Sequence, residues 1–228
     1  MKRLLLLLCL AACMPLWGDV LWNQPVNWSS SAYVNQEFPD FPTYSTYVVS
    51  DIVVPAGGWT VTSGTWYGGC WNGGCGYSLP TIPVLLNVFS LSGSLPGPGD
   101  DPTAGTPYTA SISVVSGDWV TIQLTGLSLV LPAGSYWIGI TPVASFGTYG
   151  QFGFRETTGA QYYLDAIRNP GGDFGYGGDW MAVNSTFPGA TTDAAFMLEG
   201  TAGAIPEPST WVLGVTGMAI LAWFRRKR

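Results

Sequence analysis

The sequence predicts an all-β domain, in the form of a jelly-roll-like β-sandwich, and three observations lead to that prediction. The body of the chain is rich in Ser, Thr, Val, Gly and aromatic residues and contains no Lys. These residue types favour pleated strands and tight turns over helices. Apolar and polar residues alternate with a period of two in several segments, and the body shows no helical period. The chain of 228 residues is long enough for one such domain with a substantial core.

The predicted strands follow one another with Gly, Pro and Asp residues between them. They cover residues 47–54, 59–67, 84–90, 111–115, 119–124, 151–154 and 194–199, and residues 131–140 are predicted to be a turn that enters a buried strand. Pro55 ends the first strand, and Ser116-Gly117-Asp118 forms the turn between the fourth and the fifth. The stretch from Gly93 to Pro107 is predicted to be a long loop. Because each strand has one apolar face to bury, eight to eleven of them need two packed sheets.

The N-terminal residues predict a Sec-type signal peptide. Lys2 and Arg3 precede an apolar run from Leu4 to Ala12, which is too short to span a bilayer as a stable helix. Two cleavage positions are open. Ordinary cleavage would make residues 1–18 the signal peptide. The run Leu-Ala-Ala-Cys that ends at Cys13 is similar to a bacterial lipobox, which would place cleavage before Cys13 and a lipid on its thiol.

The C-terminal residues combine a Pro-Glu-Pro tripeptide, an uncharged segment and a basic end. The tripeptide is Pro206-Glu207-Pro208, and the uncharged segment covers about residues 210–224. As a helix this segment would reach roughly 23 Å. A hydrocarbon core is ~30 Å thick, and snorkelling basic side chains can cover the difference. The basic end consists of Arg225, Arg226, Lys227 and Arg228. The positive-inside rule leaves this end in the cytoplasm and the body outside.

This tail resembles the PEP-CTERM sorting signal, with all three parts in order over residues 206–228. The resemblance implies recognition by an exosortase, a membrane-embedded cysteine transpeptidase that cuts near the tripeptide. It also implies an inner-membrane precursor and a final place on the surface, or in the matrix, of a Gram-negative bacterium that makes exopolysaccharide. The alternative is an ordinary tail anchor that follows Pro-Glu-Pro by coincidence.

The two end segments leave a body of residues 19–200 and a short linker of residues 201–205. The predicted strand at 131–140 contains the order Pro-Ala-Gly-Ser-Tyr-Trp. It resembles a strand that is common in secreted β-sandwich ectodomains, including those of many PEP-CTERM proteins. That resemblance concerns the fold and implies no activity.

Charge and composition exclude several classes of function. Between Asp19 and Glu199 there are thirteen acidic residues and two basic ones, Arg155 and Arg168. Such a body repels phosphate backbones, so we expect no nucleic-acid partner. The chain has no His, which excludes Ser-His-Asp and Cys-His catalysis. Paired carboxylates could still hydrolyse glycosides, but no spacing of Asp and Glu singles out a pair. We therefore expect no enzyme activity and no cofactor.

Two cysteines in the body are candidates for a disulfide, and four aspartates are candidates for a Ca²⁺ site. Cys70 and Cys75 lie in one stretch that its glycines predict to be a loop, and in an oxidising compartment we expect them to form a disulfide. A redox-active pair and a metal site are the alternatives, although zinc would require further ligands. The Gly-rich segments also hold carboxylates that could ligate Ca²⁺ or simply belong to ordinary turns, namely Asp100, Asp101, Asp173 and Asp179.

Aromatic residues cluster around the two cysteines and suggest a glycan contact. The members of this cluster are Trp66, Tyr67, Trp71 and Tyr77. Exposed rings there could stack on sugars, or Trp66 could face the core while the others shield the backbone. The leading hypothesis is a non-enzymatic surface or matrix protein associated with exopolysaccharide. The alternatives are a carbohydrate-binding module that uses this cluster and a carboxylate-based polysaccharide enzyme.

Overall fold

The computed structural model describes residues 18–73, 81–159, 162–190 and 193–203, and within these ranges the protein is all-β, as predicted. No helix in the described ranges is long and apolar enough to cross a membrane. The predicted signal peptide, the sorting tripeptide, the segment 210–224 and the basic end all lie outside them.

Twelve strands and two one-turn helices make up the described part of the body. The strands are β1 Asp19–Gln24, β2 Ala32–Val34, β3 Tyr47–Val54, β4 Trp59–Trp71, β5 Thr81–Ser90, β6 Thr106–Ser116, β7 Trp119–Leu131, β8 Gly134–Pro142, β9 Gln151–Arg155, β10 Ala166–Arg168, β11 Met181–Ala182 and β12 Phe196–Ala202. The helices are α1 Phe146–Tyr149 and α2 Val183–Thr186, and 3₁₀ turns cover Pro42–Tyr44 and Pro102–Ala104.

The strands form two antiparallel layers that are joined through β6. One layer has the order β1-β12-β4-β7, and the other has the order β5-β8-β3-β10-β11. The first half of β6, up to Ser111, pairs with β5, and the second half pairs with β7. Strand β9 continues along the same edge of β4 beyond β12, and β2 pairs with β9. The architecture is therefore sandwich-like, with β6 passing from one layer to the other.

The main core lies between the two layers. A single cluster of buried side chains includes Ile52 and Ile138 from one layer and Trp66, Leu124 and Phe196 from the other. The rings of Trp66 and Phe196 are stacked, with centroids 5.8 Å apart. Burying each side chain of this size contributes about 1.5–3 kcal/mol. Buried and more exposed residues thus alternate along much of β4 and β7, and the buried ones face the core.

A second, smaller cluster covers the outer face of the layer that contains β3 and β8. Tyr47, Trp137 and Trp180 pack there with Leu95. The predicted long loop forms part of this cover, and its Asp100 carbonyl accepts hydrogen bonds from Trp180 Nε1 and an Arg168 guanidinium nitrogen. Strand β3 is consequently buried on both faces, which explains its nearly unbroken apolar sequence.

The structure differs from the predicted elements at the end of β4 and at the short strands. The Gly-rich stretch that begins at Gly69 was predicted to be a loop, but residues up to Trp71 belong to β4 and pair with β9. At Gly68, a Cβ atom would lie 2.6 Å from the Gly153 carbonyl oxygen. Glycine here permits close contact between strands and does not make a turn. Strands β1, β2, β10 and β11 were not predicted, and the last three of these have only 3, 3 and 2 residues.

Candidate functional site

Aromatic side chains line a cleft of two adjoining lobes, which we call the aromatic cleft. Each lobe has a volume of about 310 Å³. The first lobe is lined by Phe38, Phe41, Tyr44, Phe146, Gln151 and Phe174. The second lobe is lined by Ala32, Tyr33, Val34, Trp71, Gln151, Phe174, Tyr176, Thr186 and Phe187. Gln151 and Phe174 line both lobes, so the two lobes are neighbours with a shared edge.

Successive rings contact one another along the whole cleft. The ring centroids of Phe41 and Tyr44 are 6.5 Å apart, and those of Tyr44 and Phe174 are 5.2 Å apart. Phe174 stacks on Tyr176 at 6.0 Å, and Tyr176 lies 6.1 Å from Phe187. Phe41, Tyr44 and Phe146 are 48%, 40% and 37% exposed, which is unusual for large apolar rings in contact with one another.

Asp40 ties the first wall of the cleft to helix α1. Its two carboxylate oxygens accept hydrogen bonds of 2.9 Å from the backbone N–H groups of Phe146 and Gly147. Desolvation acts against the charged form, but the hydrogen bonds from Gly147 and Phe146 outweigh it and lower the pKa of Asp40. The Asp40 carboxylate therefore holds the start of α1, and with it Phe146, beside Phe41.

Two buried amides hold the remaining walls in place. Asn169 is fully buried, and its side chain joins the turn at 42–45 to the segment that carries Phe174. Gln36 donates to the carbonyls of Ala144 and Gly150 and accepts from Phe152 N, which fixes the segment around α1 against β9. The cleft is thus positioned by buried side-chain hydrogen bonds to backbone groups.

The described lining of the cleft carries no ionisable acid or base other than tyrosine. Burial raises the pKa of Tyr176 to about 12, although its hydrogen bond with Thr46 Oγ1 acts in the opposite direction. Burial, together with the neighbouring Glu156, also raises the pKa of Tyr33. Among the described residues, neither the Tyr44 hydroxyl nor Gln151 Nε2 has a hydrogen-bond partner, so both can reach a ligand.

The predicted glycan-contact residues separate into three environments. Trp66 is 1% exposed and stacks on Phe196 in the core, so the structure contradicts its role as a ligand contact. Tyr67 packs edge-on against Trp28 on another face of the sheet. Trp71 lines the second lobe. Tyr77 lies outside the described residues.

The other predicted sites do not meet in a metal centre. The Asp100 carboxylate accepts from Gly97 N, and the Asp101 carboxylate accepts from Thr103 N. Asp173 and Asp179 are exposed. In the described ranges, no group of three or more His, Cys, Asp or Glu side chains could hold a metal ion. Cys70 is buried at the end of β4. Cys13 and Cys75 lie outside those ranges, so lipidation and the disulfide stay predictions.

Most of the residues that line the aromatic cleft were not predicted from the sequence, although one sequence pattern pointed to the first lobe. Phe38, Phe41 and Tyr44 recur at three-residue spacing around two prolines, in a segment that has neither strand nor helix periodicity. Rings placed in such a segment have no sheet face to cover and are candidates for an exposed site. Phe146, Phe174 and Phe187 are far away in sequence and carry no comparable signal.

Comparison of the chain with protein families, with characterised proteins and with solved structures gives no match.

Proposed function

We propose that this protein is exported, sorted by an exosortase and displayed at the cell surface or in the matrix, where its aromatic cleft binds uncharged polysaccharide. The body is proposed to be a jelly-roll-like sandwich with a non-enzymatic role. The observation that carries the binding function is the exposed, continuous row of rings in a lining without carboxylates or basic groups.

The chemistry of the cleft favours sugar rings over other ligands. One face of a pyranose presents C–H groups, which interact favourably with the electron-rich face of an aromatic ring. Its hydroxyl groups need a few polar partners, and Tyr44 and Gln151 can supply them. An anionic polymer would find no basic side chain in the described lining, and the body it approaches has thirteen acidic residues against two basic ones.

The position of the cleft also suits display from a C-terminal attachment. At one end of β4, Trp59 pairs with Ala202 of β12, the strand that leads to the tail. At the other end, Trp71 lines the cleft. The thirteen residues of β4 cover about 40 Å at ~3.3 Å per residue. The start of β1 also pairs with the end of β12, at Asp19 and Gly200. Both end segments therefore leave the body far from the cleft.

Sorting predicts that the mature protein lacks its tail. We expect terminal-peptide mass spectrometry of protein from the native host to show a C-terminus near Pro206-Glu207-Pro208, in surface or medium fractions. Replacing Glu207 with Ala is expected to leave the full-length form in the membrane. A wild-type chain that ends at Arg228 and is found only in the inner membrane would exclude exosortase sorting. The same spectra report lipid on Cys13 and a Cys70–Cys75 disulfide.

Polysaccharide binding predicts that the body is retained by uncharged polymers. We expect the purified body to be retarded in affinity gels that contain a neutral glucan, mannan or galactan, and to ignore a polyuronate. Phe41→Ala is expected to weaken the binding about five- to tenfold, because it removes one exposed stacking ring. Val130, which is 66% exposed on β7, provides the control Val130→Ala. Unretarded migration with every neutral polymer would leave only a structural role in the matrix.

A further inference from the structure

We propose that the two lobes of the aromatic cleft bind successive units of one polysaccharide chain, which crosses between them at Phe174 and Gln151. This inference rests on the proposed binding function and specifies its ligand: a linear, uncharged chain that is engaged over several sugar units. A single sugar held in one lobe is the alternative.

The continuity of the lining is the first argument for one long ligand. Phe174 and Gln151 line both lobes, so the two lobes meet at these two side chains. On either side of Phe174, Tyr44 and Tyr176 lie at ring distances of 5.2 and 6.0 Å. Each lobe therefore offers an aromatic surface within one ring contact of the crossing point.

The polar groups at the crossing point are the second argument. Asn72 Nδ2 donates a hydrogen bond to Gln151 Oε1, and this bond orients the amide. Asn72 has a φ of 57°, a left-handed conformation that asparagine adopts more readily than most residues. Gln151 Nε2 is left without a partner among the described residues, at the place where both lobes meet. It can donate to a ring or linkage oxygen of a chain that passes over it.

The charge of the ligand follows from the lining, because none of the described residues that line the two lobes is a carboxylate or a basic residue. Asp40 accepts two backbone hydrogen bonds at α1, and Glu156 accepts the hydrogen bond of the Tyr33 hydroxyl. In the described part of the body, the one salt bridge joins Arg155 to Asp118. An uncharged chain therefore fits both lobes.

The test measures how affinity depends on the length of the ligand. Oligosaccharides of two, four and six units are prepared from the neutral polymer that retards the body most, and their affinities are measured by calorimetry. We expect at least a tenfold gain from two units to six. Phe41→Ala in the first lobe and Phe187→Ala in the second are each expected to weaken binding of the six-unit ligand about five- to tenfold. The two-unit ligand is expected to respond to only one of them.

Further variants separate binding from folding. Trp71→Ala is a second change in the second lobe, in case Phe187→Ala unfolds the protein, and Val130→Ala is the control. Equal affinities for two and six units, or a six-unit ligand that responds to one lobe alone, would overturn the continuous cleft and leave polysaccharide binding in place. Absence of binding to every neutral polymer would overturn both.

Discussion

Replacing Asn169 with alanine is expected to lower the free energy of unfolding by about 3 kcal/mol and to abolish ligand binding. The Asn169 side chain donates to the carbonyls of Thr43 and Ser45 at 2.9 and 2.8 Å, and it accepts from Phe174 N at 3.1 Å. Alanine would leave these groups without their partner in a buried site, at about 1–3 kcal/mol for each group that stays unsatisfied. Thr43 O keeps a longer hydrogen bond of 3.4 Å from Asp173 N, so the full sum is not reached.

The effect on binding follows from the position of these bonds. They hold the turn that carries Tyr44 against the segment that carries Phe174, whose rings meet at 5.2 Å. Packing of the segment is close as well, because a Cβ at Gly171 would lie 2.2 Å from Thr43 Cα. Without the amide, the two rings lose their fixed separation and the first lobe loses a wall.

Urea unfolding, followed by tryptophan fluorescence, measures the change in stability. Asn184→Ala is the matched control, since Asn184 is exposed on α2, and we expect it to remain within about 0.5 kcal/mol of the wild type. Asn169→Asp should destabilise at least as much as Asn169→Ala at neutral pH, because its second carboxylate oxygen would face the carbonyls of Thr43 and Ser45 in a buried site. An Asn169→Ala protein with wild-type stability and binding would show that the hydrogen bonds of the Asn169 side chain are needed for neither.

The second large effect concerns pH and a buried carboxyl, Asp165. Burial raises the pKa of Asp165 well above its ordinary range, and the neighbouring Asp193 acts in the same direction. Hydrogen bonds from Ser50 Oγ and from Ala194 N partly stabilise the charged form. Burial also raises the pKa of Asp51, which accepts a hydrogen bond from Tyr163 N. The protein therefore holds protons that the unfolded chain releases.

The sign of the pH dependence follows from proton linkage. The unfolded chain releases the Asp165 proton near pH 4, and the folded chain releases it at a higher pH. Between these two values the folded state binds more protons, so the free energy of unfolding falls as the pH rises. The loss is about 1.4 kcal/mol for each unit by which the folded pKa exceeds the unfolded one. It is complete once the pH passes the raised pKa.

Asp165→Asn is expected to flatten this dependence and to raise stability at pH 8 relative to the wild type. An amide can still accept from Ala194 N and can donate to Ser50 Oγ, while it carries no charge. Asp165→Ala lacks both bonds and is expected to cost about 3 kcal/mol at pH 5. Unfolding in urea between pH 4 and pH 8 measures both variants, with exposed Asp173→Asn as the control. Parallel pH curves for the wild type and Asp165→Asn would contradict the assignment.

The strands were predictable where local periodicity and burial coincide. Tyr47–Val54 is β3 with the predicted bounds, and the turn at Ser116-Gly117-Asp118 separates β6 from β7. The prediction was wrong at glycine, because glycine occurs both in loops and in strands whose backbones lie close together. The Gly-rich stretch that begins at Gly69 was predicted to be a loop, yet Gly69 lies in β4 opposite Gly153 of β9. The preceding Gly68 allows the two strands to lie close together.

The sequence by itself determined the all-β class, the main strands, the acidic and histidine-free body, and the end segments on which the export and sorting proposals rest. These properties are local, because residue preference, alternation and charge can be read from neighbouring positions. The tertiary structure alone decided that Trp66 belongs to the core and that Phe41, Phe146, Phe174 and Phe187 share a cleft. Those rings lie up to 146 positions apart along the chain, and buried amides such as Asn169 and Gln36 tie several of the distant segments together.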